Sequence, residues 1–337
     1  MGELTIKTTV LTLNEIENLA RDVFQANGCD HSNTEALVRA VVSAERDCSM
    51  SHGLFRVPGY ITSLRSGKVN GHARPVVTAA TPAIISVDGD NGYAPLALEA
   101  GLPRLASSAK ELGIAAMKIT NTYHFAALWP ETEALAEQGL VGLACVCHLP
   151  VVAPAGGNEA LFGTNPLSFA WPRPGRTPMV FDMATSSMAQ GEVQIAARDG
   201  HEVPIGTGLS LDGEATTDPK KVLEGVLLPF GGYKGSAIAM MVELLAAGIV
   251  GDNFSYEAAE NDNGDGGPAR GGEFLLAISP ERVAGSGWAD HCEGFFRRYM
   301  SIDGTRLPGA RRHEIRSMGD TRHINAALVE KIKSLLD

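Results

Sequence analysis

The sequence lacks long apolar runs and an excess of positive charge. None of its apolar stretches approaches the roughly 18 residues that a membrane-spanning helix needs, so no membrane partner is expected. Asp and Glu outnumber Lys and Arg by 39 to 28, and the net charge of −11 argues against a nucleic acid as the main partner. The chain has 337 residues, 44% of them hydrophobic, which is enough for a sizeable core and more than one domain.

Cysteine is scarce and follows no zinc-binding spacing. The five residues form an odd set with no signal peptide before them, which favours a reduced, cytoplasmic protein. Cys145, Cys147 and His148 are possible metal ligands, but alternation along a strand sends the two cysteines one way and the histidine the other. We therefore predict buried small side chains there and no bound metal.

A Rossmann fingerprint is also missing, because no predicted strand is followed by G-x-G-x-x-G. A nicotinamide dinucleotide would therefore need another scaffold. Gly231-Gly232-Tyr233-Lys234-Gly235-Ser236 does precede a long apolar helix predicted over 236–250, and such a turn can hold a phosphate through backbone N–H groups. It lacks Walker spacing, so it indicates a nucleotide only in combination with other motifs.

Residues 1–75 are predicted to form a helical unit. Thr12-Leu13-Asn14-Glu15 matches a capping box, and apolar residues follow it at helical spacing up to Gly28. Ser32-Asn33-Thr34-Glu35 repeats the capping pattern, and a third helix is expected to run from Val57 through Leu64 to Gly67.

Strands and helices alternate from residue 76 onward, which predicts an α/β architecture. Strands are expected at 83–87, 113–119, 139–147, 167–171 and 178–182, and helices at 94–111 and 131–138. The stretch 255–272 is rich in Asn, Asp and Gly but lacks the ligand spacing of a calcium loop, so we predict a mobile loop.

The stretch Met50-Ser51-His52-Gly53-Leu54-Phe55-Arg56 lies between the second and third predicted helices and holds a hydroxyl, an imidazole and a guanidinium. Imidazole exchanges protons near neutral pH, and guanidinium is a planar clamp for a carboxylate. Gly53 would let a backbone or a ligand come close. The stretch predicts a proton donor beside a carboxylate site. The alternative is a helix N-terminus capped by Ser51, with Arg56 exposed.

Six motifs follow one another in the order seen in the type-2 malate/L-lactate dehydrogenase family, which the chain resembles over nearly its whole length. They are Ser51-His52-Gly53 with Arg56, Tyr123-His124-Phe125, Gly163-Thr164-Asn165-Pro166, Phe181-Asp182-Met183-Ala184-Thr185-Ser186, Gly232-Tyr233-Lys234-Gly235 and Leu307-Pro308-Gly309. Tyr123-His124-Phe125-Ala126 stands where the malate-type branch has Asn-His-Phe-Gly. This departure resembles the branch that reduces Δ1-piperideine-2-carboxylate and Δ1-pyrroline-2-carboxylate with NADPH.

The resemblance implies a homodimeric, non-Rossmann α/β protein whose cofactor domain is built on a largely antiparallel sheet. With the pattern of the chain, it predicts a helical N-terminal unit at 1–75 that contributes catalytic residues. The start of an α/β substrate and dimer domain is expected at 76–120, and an NADPH-binding domain at 121–305. Residues 306–337 would return to the first domain and the cofactor site.

The resemblance also assigns roles to residues. His52 would donate the proton, Ser51 and Glu192 would orient and recharge it, and Arg56 and Thr164 would bind the substrate carboxylate. The cofactor-binding residues would be His124, Phe125, Ala126, Ala127, Leu128, Asp182, Met183, Ala184, Tyr233, Lys234, Pro308, Gly309, Ala310, Arg311, Arg312 and His313. A packed histidine at 124 and a helix-capping role for Asp182 are the alternatives.

The predicted function is NADPH-dependent reduction of Δ1-piperideine-2-carboxylate to L-pipecolate and of Δ1-pyrroline-2-carboxylate to L-proline. Hydride would add to C2 and a proton to nitrogen, and a positioned general acid contributes roughly 10²–10⁴ in rate. No metal is needed, since protonation replaces Lewis-acid polarisation.

Three alternative functions remain. An NAD(P)H-dependent 2-oxo acid reductase of the malate/L-lactate dehydrogenase type is the main one. A hydrolase built on Ser51, His52 and Glu192 is disfavoured if Ser51 and His52 share a helical turn, because neighbouring side chains then diverge. The third alternative is a dinucleotide-binding protein without turnover.

Overall fold

The computed structural model describes residues 7–337. The helices are α1 Leu13–Ala26, α2 His31–Arg46, α3 Val57–Arg65, α4 Ala94–Leu112, α5 Trp129–Glu137, α6 Gln190–Asp199, α7 Pro219–Glu224, α8 Tyr233–Glu243, α9 Ser255–Glu260, α10 Pro280–Ala284, α11 Trp288–Met300, α12 Ala310–Arg316 and α13 Ala326–Lys333. The strands are β1 Thr8–Thr12, β2 Val76–Thr81, β3 Ile84–Tyr93, β4 Ile114–Tyr123, β5 Val141–Val146, β6 Leu167–Trp171, β7 Met179–Met183, β8 Gly208–Leu209, β9 Ala215–Thr216, β10 Val226–Leu227, β11 Arg270–Ile278 and β12 Thr321–Asn325. No helix within 7–337 combines the length and the apolar content that crossing a membrane requires.

The main sheet has seven strands in the order β2-β3-β4-β11-β5-β6-β7. In this sheet β3 and β4 run parallel, and every other neighbouring pair is antiparallel. Helices α4 and α5 pack on it over a core that includes Ile85, Met117, Leu135 and Leu275. The predicted α/β class and the largely antiparallel, non-Rossmann sheet are confirmed.

Hydrogen bonds at the helix starts explain where the first two helices begin. The Thr12 hydroxyl accepts from the Glu15 amide at 3.1 Å, and the Glu15 carboxylate accepts from the Thr12 amide at 2.8 Å, which confirms the predicted capping box. The second capping prediction is wrong, because α2 is capped by Asp30 and not by Ser32. The Asp30 carboxylate accepts from the Asn33 amide at 3.0 Å, so the helix begins two residues earlier than predicted.

The two ends of the described chain pair with each other. Strands β1 and β12 form an antiparallel ladder, and α13 packs against α1 and α3. Arg322 on β12 donates to the carbonyls of Glu45 and Arg46 at 2.8 and 2.6 Å. The last residues therefore support the end of α2, which leads into the stretch that holds Ser51 and His52.

One predicted domain boundary falls inside a strand, and the predicted loop contains regular secondary structure. The position between residues 120 and 121 lies within β4, and the sheet runs on from β2 to β7 across it. The stretch 255–272 contains α9 and the first residues of β11 in addition to a loop. Lys68 contacts that loop through Asp262 at 2.9 Å and Asp265 at 2.6 Å, and its side chain is only 7% exposed. These contacts join residues far apart in the sequence, so a local sequence pattern could not predict them.

Candidate active site

The residues Ser51 and His52 lie in a turn between α2 and the 3₁₀ turn Leu54–Arg56. The buried carboxyl of Glu45 accepts a hydrogen bond from the Leu54 amide at 2.7 Å. Position 53 is a glycine because a Cβ there would collide with this carboxyl. The close approach predicted at Gly53 is therefore made by a side chain of the protein, and burial raises the pKa of Glu45 to about 7.

The side chains of Ser51 and His52 contact each other. The Ser51 hydroxyl lies 3.0 Å from Nδ1 of His52, and the Ser49 hydroxyl lies 3.5 Å from the same nitrogen. The alternative in which Ser51 caps a helix is wrong, since Gly53 and Arg56 hold the cap positions. The argument that neighbouring side chains diverge does not apply, because neither residue is helical. A hydroxyl on Nδ1 orients the ring and leaves Nε2 for another partner.

Arg56 presents an unpaired guanidinium to the same site. Its Nε donates to the Ser51 carbonyl at 2.7 Å, and one Nη lies 3.4 Å from Oε1 of Gln194. The guanidinium carbon lies 4.7 Å from the centre of the Phe125 ring, and no carboxylate within 7–337 pairs with it. Burial lowers its pKa to about 10, so it stays charged at neutral pH. A held but uncompensated guanidinium is suited to bind a carboxylate.

The predicted proton donor and both predicted carboxylate ligands face one small cavity. It has a volume of about 70 Å³ and is lined by His52, Arg56, His124, Phe125, His148 and Thr164. A cleft of about 1090 Å³ adjoins it. The turn that carries Thr164 is fixed by its neighbour Asn165, which has a φ of 40° and donates to Glu243 at 2.9 Å.

The histidines of this cavity are neutral at neutral pH. Burial lowers the pKa of His52 and His148 to about 3 and that of His124 to about 4. The charge of Arg56 lowers the pKa of His52 and His148 further. The near-neutral pKa expected of an imidazole is therefore wrong for His52 in this structure. A carboxylate bound at Arg56 would compensate the charge of the guanidinium and so remove one cause of the low pKa of His52.

Glu192 makes no contact with the Ser51 and His52 side chains. It is exposed on the first turn of α6 and has no hydrogen bond or ion pair to its side chain within 7–337. Its neighbour Gly191 is buried, and a Cβ there would lie 3.0 Å from that of Ser51 and 2.6 Å from Nη2 of Arg56. Helix α6 therefore reaches the site through Gly191, and the relay role of Glu192 stays a prediction.

Three of the four predicted cofactor segments come together, namely 124–128, 182–184 and 308–313. Asp182 accepts from the amides of Leu128 and Trp129 at 2.8 and 3.1 Å, so it does cap the start of α5. Burial raises its pKa. Arg312 donates to the Val180 carbonyl at 3.1 Å and joins the third segment to β7.

The fourth segment, Tyr233 and Lys234, begins α8, and both side chains are exposed. A hydrogen bond from the Phe230 amide to the Thr185 carbonyl, 3.0 Å long, connects the preceding turn to the residues after Ala184. Arg311 is exposed as well and has no ion-pair partner in the described part of the chain. Two cations of the predicted cofactor segments are therefore accessible.

Sequence reasoning missed Glu273, and it considered His148 only as a metal ligand and not as a residue of this cavity. His148 follows Cys147 just beyond the end of β5, and its ring stacks on Phe125 with 5.7 Å between the centroids. Glu273 on β11 is buried beside His124. An acidic residue inside an otherwise apolar strand was a usable signal for Glu273. No local pattern indicated the stacking of His148.

Comparison with known proteins identifies the class. A family model described as malate/L-lactate dehydrogenase matches residues 11–333. The chain is an oxidoreductase, which agrees with a fixed imidazole and guanidinium in one cavity and with a non-Rossmann sheet. It belongs to the malate/L-lactate dehydrogenase family.

Particular relatives lie in one branch of this family. The Δ1-pyrroline-2-carboxylate reductase of Ancylobacter novellus is 45% identical over 332 residues, which cover 96% of this chain and 97% of that protein. The Δ1-pyrroline-2-carboxylate/Δ1-piperideine-2-carboxylate reductase of Pseudomonas syringae pv. tomato is 43% identical, with 97% and 96% covered. The crystal structure of Δ1-piperideine-2-carboxylate reductase from Pseudomonas syringae matches with a TM-score of 0.91 at 43% identity, over 97% of this chain and 100% of that one. The predicted resemblance is confirmed.

Proposed function

We propose that this chain reduces Δ1-piperideine-2-carboxylate and Δ1-pyrroline-2-carboxylate to L-pipecolate and L-proline with NADPH. The observation that carries the proposal is the unpaired guanidinium of Arg56 in the cavity that His52 also lines. A small ring with a 2-carboxylate offers an anion for Arg56 and a nitrogen for His52. The Ancylobacter novellus relative is named as a reductase of Δ1-pyrroline-2-carboxylate, the Pseudomonas syringae crystal structure as one of Δ1-piperideine-2-carboxylate, and the Pseudomonas syringae pv. tomato relative as one of both.

The residues present fit a nicotinamide dinucleotide. His124, Phe125 and Ala126 line the cavity of His52, and hydrogen bonds tie their segment to β7 and, through β7, to α12. NADPH, when bound, supplies the hydride. Preference for NADPH over NADH is supported by Lys234 and Arg311, because a 2′-phosphate adds charge that a cation stabilises. We assign the cofactor to His124–Leu128, Asp182–Ala184, Tyr233, Lys234 and Pro308–His313.

We assign the following roles to the residues at this cavity. Arg56 and Thr164 bind the carboxylate, and this contact orients C2 of the ring. The bound carboxylate compensates the charge of Arg56 and so raises the pKa of His52 from its low value. Ser51 holds Nδ1 of His52, so Nε2 of the imidazolium form is the nitrogen that gives its proton to the ring nitrogen, which leaves His52 neutral. Glu192, exposed to solvent, is assigned to the reprotonation of His52.

We also propose that the protein is a homodimer. Helix α8 and the residues after it expose Met240, Leu244 and Ile249 at 53%, 55% and 65% of their surface. Apolar surface of this kind favours burial against a partner. Light scattering should give twice the chain mass of 35.5 kDa, and a monomer at working concentrations would contradict the proposal.

A substrate panel tests the proposed function. The purified protein is assayed with NADPH against both cyclic imino acids and against open-chain 2-oxo acids, and the loss of reduced-cofactor absorbance is followed. We expect turnover of the imino acids and formation of the L-amino acids. Turnover confined to 2-oxo acids would support the alternative, and binding of NADPH without any turnover would exclude a reductase.

A further inference from the structure

Two carboxyl groups and an imidazole are enclosed together beside the small cavity. Glu131 in the first turn of α5, Glu273 on β11 and His124 are 5%, 1% and 6% exposed. One ligand atom from each lies within 4.8 Å of the others, and Nε2 of His124 lies 3.6 Å from Oε2 of Glu273. The proposed function uses neither carboxyl group.

The enclosed atoms of these residues lack partners. Within 7–337, Nε2 of His124, Oε1 of Glu131 and both carboxyl oxygens of Glu273 are buried without a hydrogen bond. Neither carboxyl forms an ion pair with a lysine or an arginine in the same part of the chain. Two ionised carboxylates this close together and without a cation would be strongly unfavourable. A proton on each carboxyl would supply the missing donors.

The surroundings add no compensating charge. Burial and the neighbouring Glu273 raise the pKa of Glu131, and burial raises the pKa of Glu273. A third acidic group nearby disfavours ionisation of Glu131 further. The titratable groups around the pair are Asp182 on β7, Cys145 on β5 and, beyond His124, the neutral His52 and His148.

We propose that Glu131 and Glu273 are both protonated at neutral pH and hold His124 as its Nδ1–H tautomer. Glu131 donates its O–H to Glu273, and the O–H of Glu273 is directed at Nε2 of His124, where a small side-chain movement closes the 3.6 Å separation to a hydrogen bond. Because Nε2 then accepts, the ring proton lies on Nδ1. This arrangement gives the enclosed atoms partners and leaves no net charge. His124 lines the cavity, so it presents a fixed hydrogen-bond donor to a bound molecule.

The consequence for catalysis rests on the proposed function, whereas the protonation state does not. A donor on His124 suits an acceptor oxygen of the cofactor or the substrate and disfavours a cationic group at that point. Glu131 and Glu273 act through His124, so they are positioning residues. Substitutions that break this chain of hydrogen bonds should alter turnover by displacing the donor, without removing any group that contacts the ligand.

Nuclear magnetic resonance of the protein alone tests the tautomer. Histidine is labelled with nitrogen-15, and the signals of His124 are assigned with a His124→Asn variant. We expect the Nδ1–H tautomer at neutral pH. It should persist in Glu273→Gln, whose amide N–H replaces the acid O–H, and give way to a tautomer mixture in Glu273→Met. An Nε2–H tautomer or an imidazolium in the unsubstituted protein would overturn the proposal.

Two further measurements test the protonation of the two carboxyl groups independently. Infrared spectroscopy should show the C=O stretch of protonated carboxylic acids, and Glu131→Gln should weaken it; its absence would overturn the proposal. Elemental analysis should find no stoichiometric divalent metal, because a metal held by His124, Glu131 and Glu273 would replace the two protons. Thermal unfolding of each variant shows whether it is folded.

Kinetics with Δ1-pyrroline-2-carboxylate and NADPH test the positioning role. We expect Glu273→Gln to stay close to the unsubstituted enzyme, and Glu273→Met to lose about 10- to 100-fold in kcat/KM, the scale of a misplaced group. Equal activity of the two folded variants would overturn the positioning role. If the unsubstituted enzyme turned over no imino acid, the proposed function would fail, while the resonance experiment would still decide the protonation state.

Discussion

The hydroxyl of Ser51 lies 3.0 Å from Nδ1 of His52, although the two residues are neighbours in the chain. Adjacent side chains point apart on helices and strands, and these two converge because the chain turns between α2 and Leu54–Arg56. We predict that Ser51→Ala lowers kcat about 2- to 10-fold, the scale of one hydrogen bond, with KM nearly unchanged. Ser49→Ala is the matched control. If it lowers kcat as much, the shorter contact is not the one that orients the ring.

Arg56 is predicted to be the carboxylate ligand. Arg56→Met should lower kcat/KM for the imino acid about 10- to 150-fold, mostly through KM, because a charged hydrogen bond is lost. Arg56→Lys should recover only part of this, since the planar fork is absent. Arg198→Met, a change in the adjoining cleft, is the control. An unchanged KM in Arg56→Met would remove Arg56 from the substrate site.

His52 separates imine from ketone chemistry. His52→Ala should abolish ketone reduction wherever it occurs, and should lower imine reduction near neutral pH by about 10²–10⁴. A cyclic imine takes up a proton from water, so the residual imine activity should rise as the pH falls. The measurement is kcat/KM against pH, with NADPH binding followed by fluorescence as the control. Unchanged turnover at every pH would exclude His52 as the proton donor.

The cofactor preference depends on accessible cations. Arg311→Ala should reduce the ratio of kcat/KM with NADPH to that with NADH about 10-fold or more, because a charged hydrogen bond to the 2′-phosphate is lost. Arg312→Ala should instead lower the unfolding temperature, since Arg312 already binds the Val180 carbonyl and lies 4.9 Å from the Trp129 ring centre. Equal efficiency of the unsubstituted enzyme with both cofactors would contradict the NADPH assignment.

His148 is predicted to make the protein sensitive to acid. Its pKa falls from 6.5 to about 3 on folding, so below pH 6.5 the unfolded chain binds a proton that the folded protein does not. The contribution of neutral His148 to the free energy of unfolding is therefore complete above pH 6.5 and is lost as the pH falls toward 3. The raised pKa values of Glu45, Glu131 and Glu273 have the opposite effect, because these carboxyls stabilise the folded protein as the pH falls.

The test therefore compares the stability of the His148→Asn variant with that of the unsubstituted protein at several pH values. The difference in unfolding free energy between His148→Asn and the unsubstituted protein, measured with urea, should shift in favour of the variant between pH 6.5 and 4. A difference that does not depend on pH would contradict the assignment.

Local sequence was sufficient for elements whose ends depend on close neighbours. The capping box of Thr12 and the strand Leu167–Trp171 were both predicted at their observed positions. The position of β11 could not be predicted, because it pairs with β4 and β5 from distant parts of the chain. Contacts of this kind depend on the assembled sheet.

The candidate site divides in the same way. His52, Arg56 and Thr164 lie in motifs, and the structure brings them to one cavity. His148 and Glu273 lie in no motif, and their importance depends on burial and on side chains that other strands supply. The role of Glu192 stays a prediction, because its side chain contacts neither Ser51 nor His52.

Arg322 on β12 bonds the Glu45 carbonyl, 277 residues earlier in the chain, just before the turn that holds Ser51 and His52. This contact cannot form until residue 322 has been synthesised, because its two partners lie in distant parts of the chain. During synthesis, the end of α2 before this turn therefore lacks the hydrogen bonds of Arg322 until nearly the whole chain has left the ribosome. A chain that ended between Gly309 and Arg322 would contain every motif of the site but would lack the two hydrogen bonds by which Arg322 supports the end of α2.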